Sequence, residues 1–219
     1  MTAPVSVPTG PVAPTEPTAP TGPTARLARR GRPGYDLDSL LAVAVTVFNE
    51  RGYDGTSIQD LSARLGIGKS SIYHHVEGKS DLLRLALDRA LDALFAVTVE
   101  AGASVGGPID RLEYLVRRSV EVLVAELPYV TLLLRVRGNT EVEQRALARR
   151  REFDRFVGDL VAAAAAAGEL RADIEPALIS RLVFGSVNSL TEWYRPDRGL
   201  AGTELAASVV RMVFGGLRV

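Results

Sequence analysis

The chain's two histidines, His74 and His75, stand side by side in the run Lys69-Ser70-Ser71-Ile72-Tyr73-His74-His75. Neighbouring residues on a helix point in different directions, so the pair offers no two-histidine metal face. No Ser-His-Asp set can be assembled elsewhere. There is no cysteine, hence no thiolate nucleophile, disulfide or cysteine-ligated metal. Glu141 and Glu143 fall on different sides of a helix, and no carboxylate–histidine group has metal-ligand spacing. The segment GIGKS lacks the preceding strand and the full spacing of a phosphate loop. No catalytic residue, metal or cofactor is expected, and an enzyme is disfavoured. Hydrogen bonding is what the row can do. Lys69, Ser70, Ser71, Tyr73, His74 and His75 offer a cation, donors and aromatic edges suited to phosphates and base edges in a DNA major groove. An ordinary helical hairpin with a solvated polar face has the same pattern.

A second set of candidates lies further along. The helix expected over 178–194 carries Phe184, Val187 and Leu190 interrupted by Ser186, Asn188 and Ser189. A buried Asn needs a partner: a ligand, a twofold-related copy or a neighbouring helix. Phe153, Phe156 and Phe184 are available as an apolar wall, and Trp193 and Tyr194 fit either a pocket wall or an interface. Arg118, Arg135 and Arg137 suit an anionic ligand group, although the last two also suit a helix C-terminus.

The elements that must hold the first row are short. Thr56 with Gln59 reads as a capping box opening a helix along which Ile58, Leu61 and Leu65 form one stripe. Gly66 supplies a tight turn. Ile67, Ile72 and Val76 pack inward from the next helix. Before this unit, Asp36 to Arg51 reads as one helix ended by Gly52. After it come helices over 80–103, 108–126 (opened by Pro108), 129–137, 140–167, 176–194 and 203–217. The expected fold is all-α, with nine helices and no convincing strand. In the last helix Leu205, Val209, Val213 and Leu217 recur every four residues, which suits an association surface or burial within the subunit.

The elements Phe-x-x-x-Gly-Tyr, Thr-Ser-Ile, Ile-Tyr-His-His and Lys-Ser-Asp-Leu occur in one order and register between residues 36 and 87. In these motifs the segment resembles the N-terminal domain of the TetR family of bacterial transcriptional regulators. The resemblance implies a three-helix DNA-binding domain with a helix-turn-helix, over residues 35–80. It implies a six-helix ligand-binding and dimerisation domain over 81–219, with the last two helices pairing between subunits. It also implies a homodimeric repressor of a palindromic operator, released by a small-molecule effector. Thr56, Lys69, Tyr73 and Lys79 are then expected at phosphates, and Ser70, Ser71 and His74 nearer bases. Arg118, Arg135, Phe153, Phe156, Phe184, Asn188 and Trp193 are the candidate effector residues. The WYRP segment at 193–196 resembles regulators that sense acyl-CoA thioesters, making an acyl-CoA the first candidate effector. A neutral hydrophobic compound is the main alternative, and a DNA-organising protein without effector is another class.

Composition fits this reading without deciding it. The 219 residues carry 26 Lys+Arg and 26 Asp+Glu, so the formal net charge is zero. Distribution matters more than the sum for a nucleic-acid binder. Residues 26–80 hold an excess of two positive charges, and the only lysines, Lys69 and Lys79, bracket the polar row. Residues 1–25 hold seven prolines and one charged side chain, the signature of a disordered tail. The RRGRPG arm at 29–34, with Arg30 and Arg32, suits a narrow minor groove or phosphates. No apolar run reaches the ~20 residues of a membrane span, and no signal-peptide pattern is evident, so a cytoplasmic protein is expected.

Overall fold

The computed structural model describes residues 36–171 and 173–218. The tail and the basic arm, including Arg30 and Arg32, lie outside the described residues.

Among the described residues nine α-helices follow one another: α1 (Leu37–Arg51), α2 (Ile58–Leu65), α3 (Lys69–Tyr73), α4 (Lys79–Val99), α5 (Pro108–Ala125), α6 (Leu127–Arg135), α7 (Glu141–Ala166), α8 (Pro176–Trp193) and α9 (Gly202–Leu217). Their ends are set locally. Asp36 caps α1 by accepting from the Ser39 amide at 2.8 Å. Pro108 and Pro176 open α5 and α8, where a missing N–H costs nothing. The expected helix over 80–103 ends earlier, at Val99, and Ala101–Ser104 forms a separate 3-10 turn. Among the described residues the nearest approach to a strand is one isolated bridge, between Leu170 and Arg218.

Two apolar cores result. One contains Leu40, Ala44 and Phe48 of α1, Leu61 and Leu65 of α2, and Ile72 of α3. It continues through Leu82 to Leu91 of α4 and takes in Tyr129, Leu132 and Leu133 of α6. The other packs α5, α7, α8 and α9 around Leu112, Val116, Phe153, Val157, Val161, Val183 and Phe214. Leu205 and Val209 are buried in this second core, where α9 runs along α5, and Val213 and Leu217 pack against it. The four-residue repeat of α9 therefore faces its own subunit. The large apolar side chains that α8 and α9 leave open are Leu178, Leu182, Trp193 and Met212.

The loop between α6 and α7 is held by a buried acid. Glu143, 5% exposed, accepts from the backbone amides of Gly138 at 2.7 Å and Asn139 at 2.8 Å. Three amides with that of Arg137 satisfy the carboxylate, as a buried charge requires. Among the described residues no helix is long and apolar enough to cross a membrane.

Candidate nucleic-acid interface and ligand cavity

The helix-turn-helix is built by α2 and α3. Gly66, at φ 66°, makes the left-handed turn between them. The Ser62 hydroxyl donates to the Ile67 carbonyl at 2.5 Å and locks the turn. Ile72 is fully buried and Val76 nearly so, which seats α3 on α1 and α2. Its other side is left in solvent: Lys69, Ser70, Ser71, Tyr73, His74 and His75 are all exposed. Four of the six lie on the five-residue α3, and His74 and His75 follow at its C-terminal end.

Two expectations about this unit are corrected. Ser57, rather than Thr56, is the N-cap of α2, and Asp60, rather than Gln59, completes the capping box. Asp60 accepts from the Ser57 amide at 2.8 Å, and the Ser57 hydroxyl accepts from the Asp60 amide at 3.2 Å. Hydrogen bonds to Ser57 hold the Asp60 carboxyl below its usual range. Thr56 is 2% exposed and its hydroxyl donates to the Gly52 carbonyl at 2.8 Å. That hydroxyl ties the α1–α2 turn and is turned away from the open face. Gln59 instead accepts from Lys69 Nζ at 3.2 Å. Lys79 has a structural task too: its ammonium donates to the Tyr53 carbonyl at 2.9 Å and lies 4.1 Å from the Tyr53 ring centroid. Lys69 is accordingly the freer of the two cations.

The second site lies between α5, α6, α7 and α8. An inner cavity of about 50 Å³ is walled by apolar side chains, among them Leu94, Val122, Leu133, Phe153 and Phe184, with Ser119 among them. It shares Arg150, Asp154, Phe184 and Asn188 with an open cleft of about 490 Å³ between α7 and α8, where Ser180 and Arg181 are added. The site is therefore apolar inside and polar at its mouth. Phe153 is held edge-on between Phe95 and Phe184, with centroids 5.8 and 5.6 Å away. Desolvation pushes the Asp154 carboxyl above the usual carboxylate range, although its outer edge stays in solvent, and Arg150 opposes the shift.

The expected ligand residues divide. Phe153, Phe184 and Asn188 meet at the cavity. Phe156 packs against the second core and does not line it. Trp193 is 55% exposed at the end of α8, while Tyr194 is buried and donates its hydroxyl to the Leu200 carbonyl at 2.8 Å. Arg118 is committed elsewhere: it donates to both Glu100 oxygens, at 2.8 and 2.9 Å, and to Glu121. Arg135 donates to the backbone carbonyl of Asn49, reaching α1 instead of the cavity. Arg150 and Asp154 were missed because they sit in the charged run ARRREFDRF, which reads as a solvated face. Arg150 lies three residues before Phe153 and four before Asp154, and that helical spacing was the available signal.

The model of the tetracyclin repressor-like C-terminal domain matches residues 105–217, and the model of the bacterial tetR regulatory proteins matches residues 40–86. The chain belongs to the TetR family. As a TetR-family protein it is a helix-turn-helix transcriptional regulator, and regulators of this family are not enzymes as a rule. It is 61% identical to SCO3833, a TetR-family member from Streptomyces coelicolor A3 whose crystal structure superposes with a TM-score of 0.77. That match covers 82% of this chain and 91% of the other. The transcriptional repressor KstR2 of Mycolicibacterium smegmatis is 25% identical over 85% of this chain and 92% of its own length. The TetR fold also recurs in AibR, solved in complex with isovaleryl coenzyme A and operator DNA. There the TM-score is 0.67 at 24% identity, over 82% of this chain and 98% of AibR.

Proposed function

We propose that this TetR-family regulator is a homodimeric repressor that binds a palindromic operator and is released by an acyl-CoA entering the α5–α8 cavity. The observation that carries the ligand reading is the continuity of a small apolar cavity with a larger cleft that presents Arg150 and Arg181. An acyl group fits the inner part, and guanidinium groups at the mouth suit phosphates. The AibR complex with isovaleryl coenzyme A supports the same chemistry.

On DNA, Lys69 and Tyr73 hold phosphates, and Ser70, Ser71 and His74 face base edges. Arg30 and Arg32 of the arm reach the adjacent minor groove. Two subunits joined through Leu178, Leu182 and Met212 set their α3 helices in successive major grooves, about 34–36 Å apart. The effector acts through α6, which lines the cavity with Val130, Leu133 and Leu134 and holds α1 at its other side. It shifts the equilibrium only as far as its affinity differs between the two spacings of the DNA modules. The division into DNA-binding (35–80) and effector (81–219) parts is functional in this reading, since α4 and α6 contribute to the core that seats α1–α3.

Asp154 favours a second reading, a neutral hydrophobic effector, because a carboxylate at the mouth repels phosphate. Selection from a random duplex pool tests the DNA half of the proposal: one palindrome should be enriched. Uniform retention of all sequences would instead indicate a DNA-organising protein.

A further inference from the structure

Ser119 lies on α5, 3% exposed, and lines the inner cavity. Its Oγ is buried and has no hydrogen-bond partner in the protein. Two other helical serines, both exposed, bond back to a carbonyl one turn earlier: Ser186 donates to Leu182 at 2.9 Å and Ser208 to Glu204 at 2.9 Å. Ser119 does not, and the lining residues that α5 and α6 supply beside it, Val122, Leu123, Val130, Leu133 and Leu134, are all apolar. The cavity's other polar groups, Arg150, Asp154 and Asn188, all belong also to the cleft at the mouth. Ser119 does not border that cleft. A water there would find few of the two to four polar partners that a buried water needs.

We infer that Ser119 reads an oxygen on the buried end of the effector: the effector is a thioester whose short acyl group carries a hydroxyl or keto oxygen away from the thioester carbonyl. A serine hydroxyl both donates and accepts, so either oxygen serves. The inner volume of about 50 Å³ keeps that acyl group small. Discrimination follows from the unmade bond. A site that holds an unpaired buried hydroxyl favours the ligand that pairs it over the analogue lacking the oxygen. This inference rests on the acyl-CoA reading above, and the test separates the two.

The probes are butyryl-CoA and 3-hydroxybutyryl-CoA, titrated calorimetrically into the full chain and into Ser119→Ala. The wild type should bind the hydroxylated thioester about tenfold more tightly, and Ser119→Ala should lose that preference. Equal affinities in the wild type would overturn the inference while leaving the acyl-CoA reading in place. If neither thioester binds, the acyl-CoA reading falls and the inference falls with it; thermal melting checks Ser119 independently. A hydroxyl held idle for a ligand oxygen predicts a higher Tm for Ser119→Ala than for wild type. An equal or lower Tm would overturn the inference.

Discussion

Arg135 and Asn49 join two helices of the first core: the guanidinium on α6 donates to the α1 carbonyl at 2.8 Å. The Asn49 side chain returns the link, donating its Nδ2 to the Pro128 carbonyl at 2.8 Å at the start of α6. The helix that lines the cavity is thereby fixed at both ends to the helix that seats the DNA-reading unit. Arg135→Ala should leave operator affinity close to wild type without effector. It should shrink the effector's influence, ordinarily about 5–150-fold in such couplings, toward unity. Operator titrations with and without butyryl-CoA measure both quantities.

Lys69 and Lys79 should separate cleanly. Lys69→Ala removes an exposed phosphate partner and should flatten the salt dependence of binding by about one unit of slope at every sequence. Tyr73→Phe should weaken binding alike on all sequences. Lys79→Ala removes the contact with Tyr53, and should show itself first as a lower Tm. A Lys69→Ala protein with unchanged salt slope would take α3 out of the interface.

Much of this unit was legible in sequence because its signals are local. Gly66 is the left-handed turn and Ile72 the buried anchor, as their spacing implies. Thr56 and Ser57 are chemically interchangeable as caps, and only the approach of Gly52 decides which hydroxyl is free. The four-residue repeat of α9 announces an apolar stripe but not its partner, and α5 takes it. Arg118 and Arg135 show the same limit. A cation's type is visible in sequence, but the carboxylate or carbonyl that claims it comes from another helix. The cavity's own polar residues, Arg150 and Asp154, are legible only once α7 lies against α8.

The proposed subunit contact through Leu178, Leu182 and Met212 has its own test. Leu182→Glu with Met212→Glu places charge on an open surface, so each subunit should stay folded and sediment as a monomer with little operator affinity. Val209→Asp instead buries a carboxylate in the subunit's own core, 7% exposed. It should cost on the order of 3–5 kcal/mol and lower the Tm sharply. A folded dimer from the double variant would move the interface away from this face.

Glu100 supplies an acid-sensitive link between the end of α4 and α5. Hydrogen bonds from Arg118 and then from Tyr114 lower its carboxyl from 4.5 to about 2. The folded value lies below the unfolded one, so its contribution to stability is complete above pH 4.5. It is lost as the pH falls from 4.5 toward 2. Glu100→Gln should therefore be less stable than wild type at neutral pH, with the gap closing across that window. Urea midpoints at a series of pH values check it, and a gap independent of pH would contradict it.

The arm can be weighed by two truncations. Removing residues 1–25 deletes one charged side chain, Glu16, and should change operator affinity little. Removing residues 1–34 also deletes Arg26, Arg29, Arg30 and Arg32, and should weaken binding most on A·T-rich flanks and at low salt. Equal affinities would assign the arm no part in binding.

The proposed regulation is a reciprocal switch between the α3 face and the α5–α8 cavity. Its most direct measurement is calorimetric titration of acyl-CoA thioesters into the full chain, alone and saturated with its selected palindrome, beside operator titrations with and without the same thioester. A thermodynamic coupling must act equally in both directions. The account predicts that operator weakens thioester binding by the same factor by which thioester weakens operator binding. Thioester binding that is the same with and without operator would contradict it.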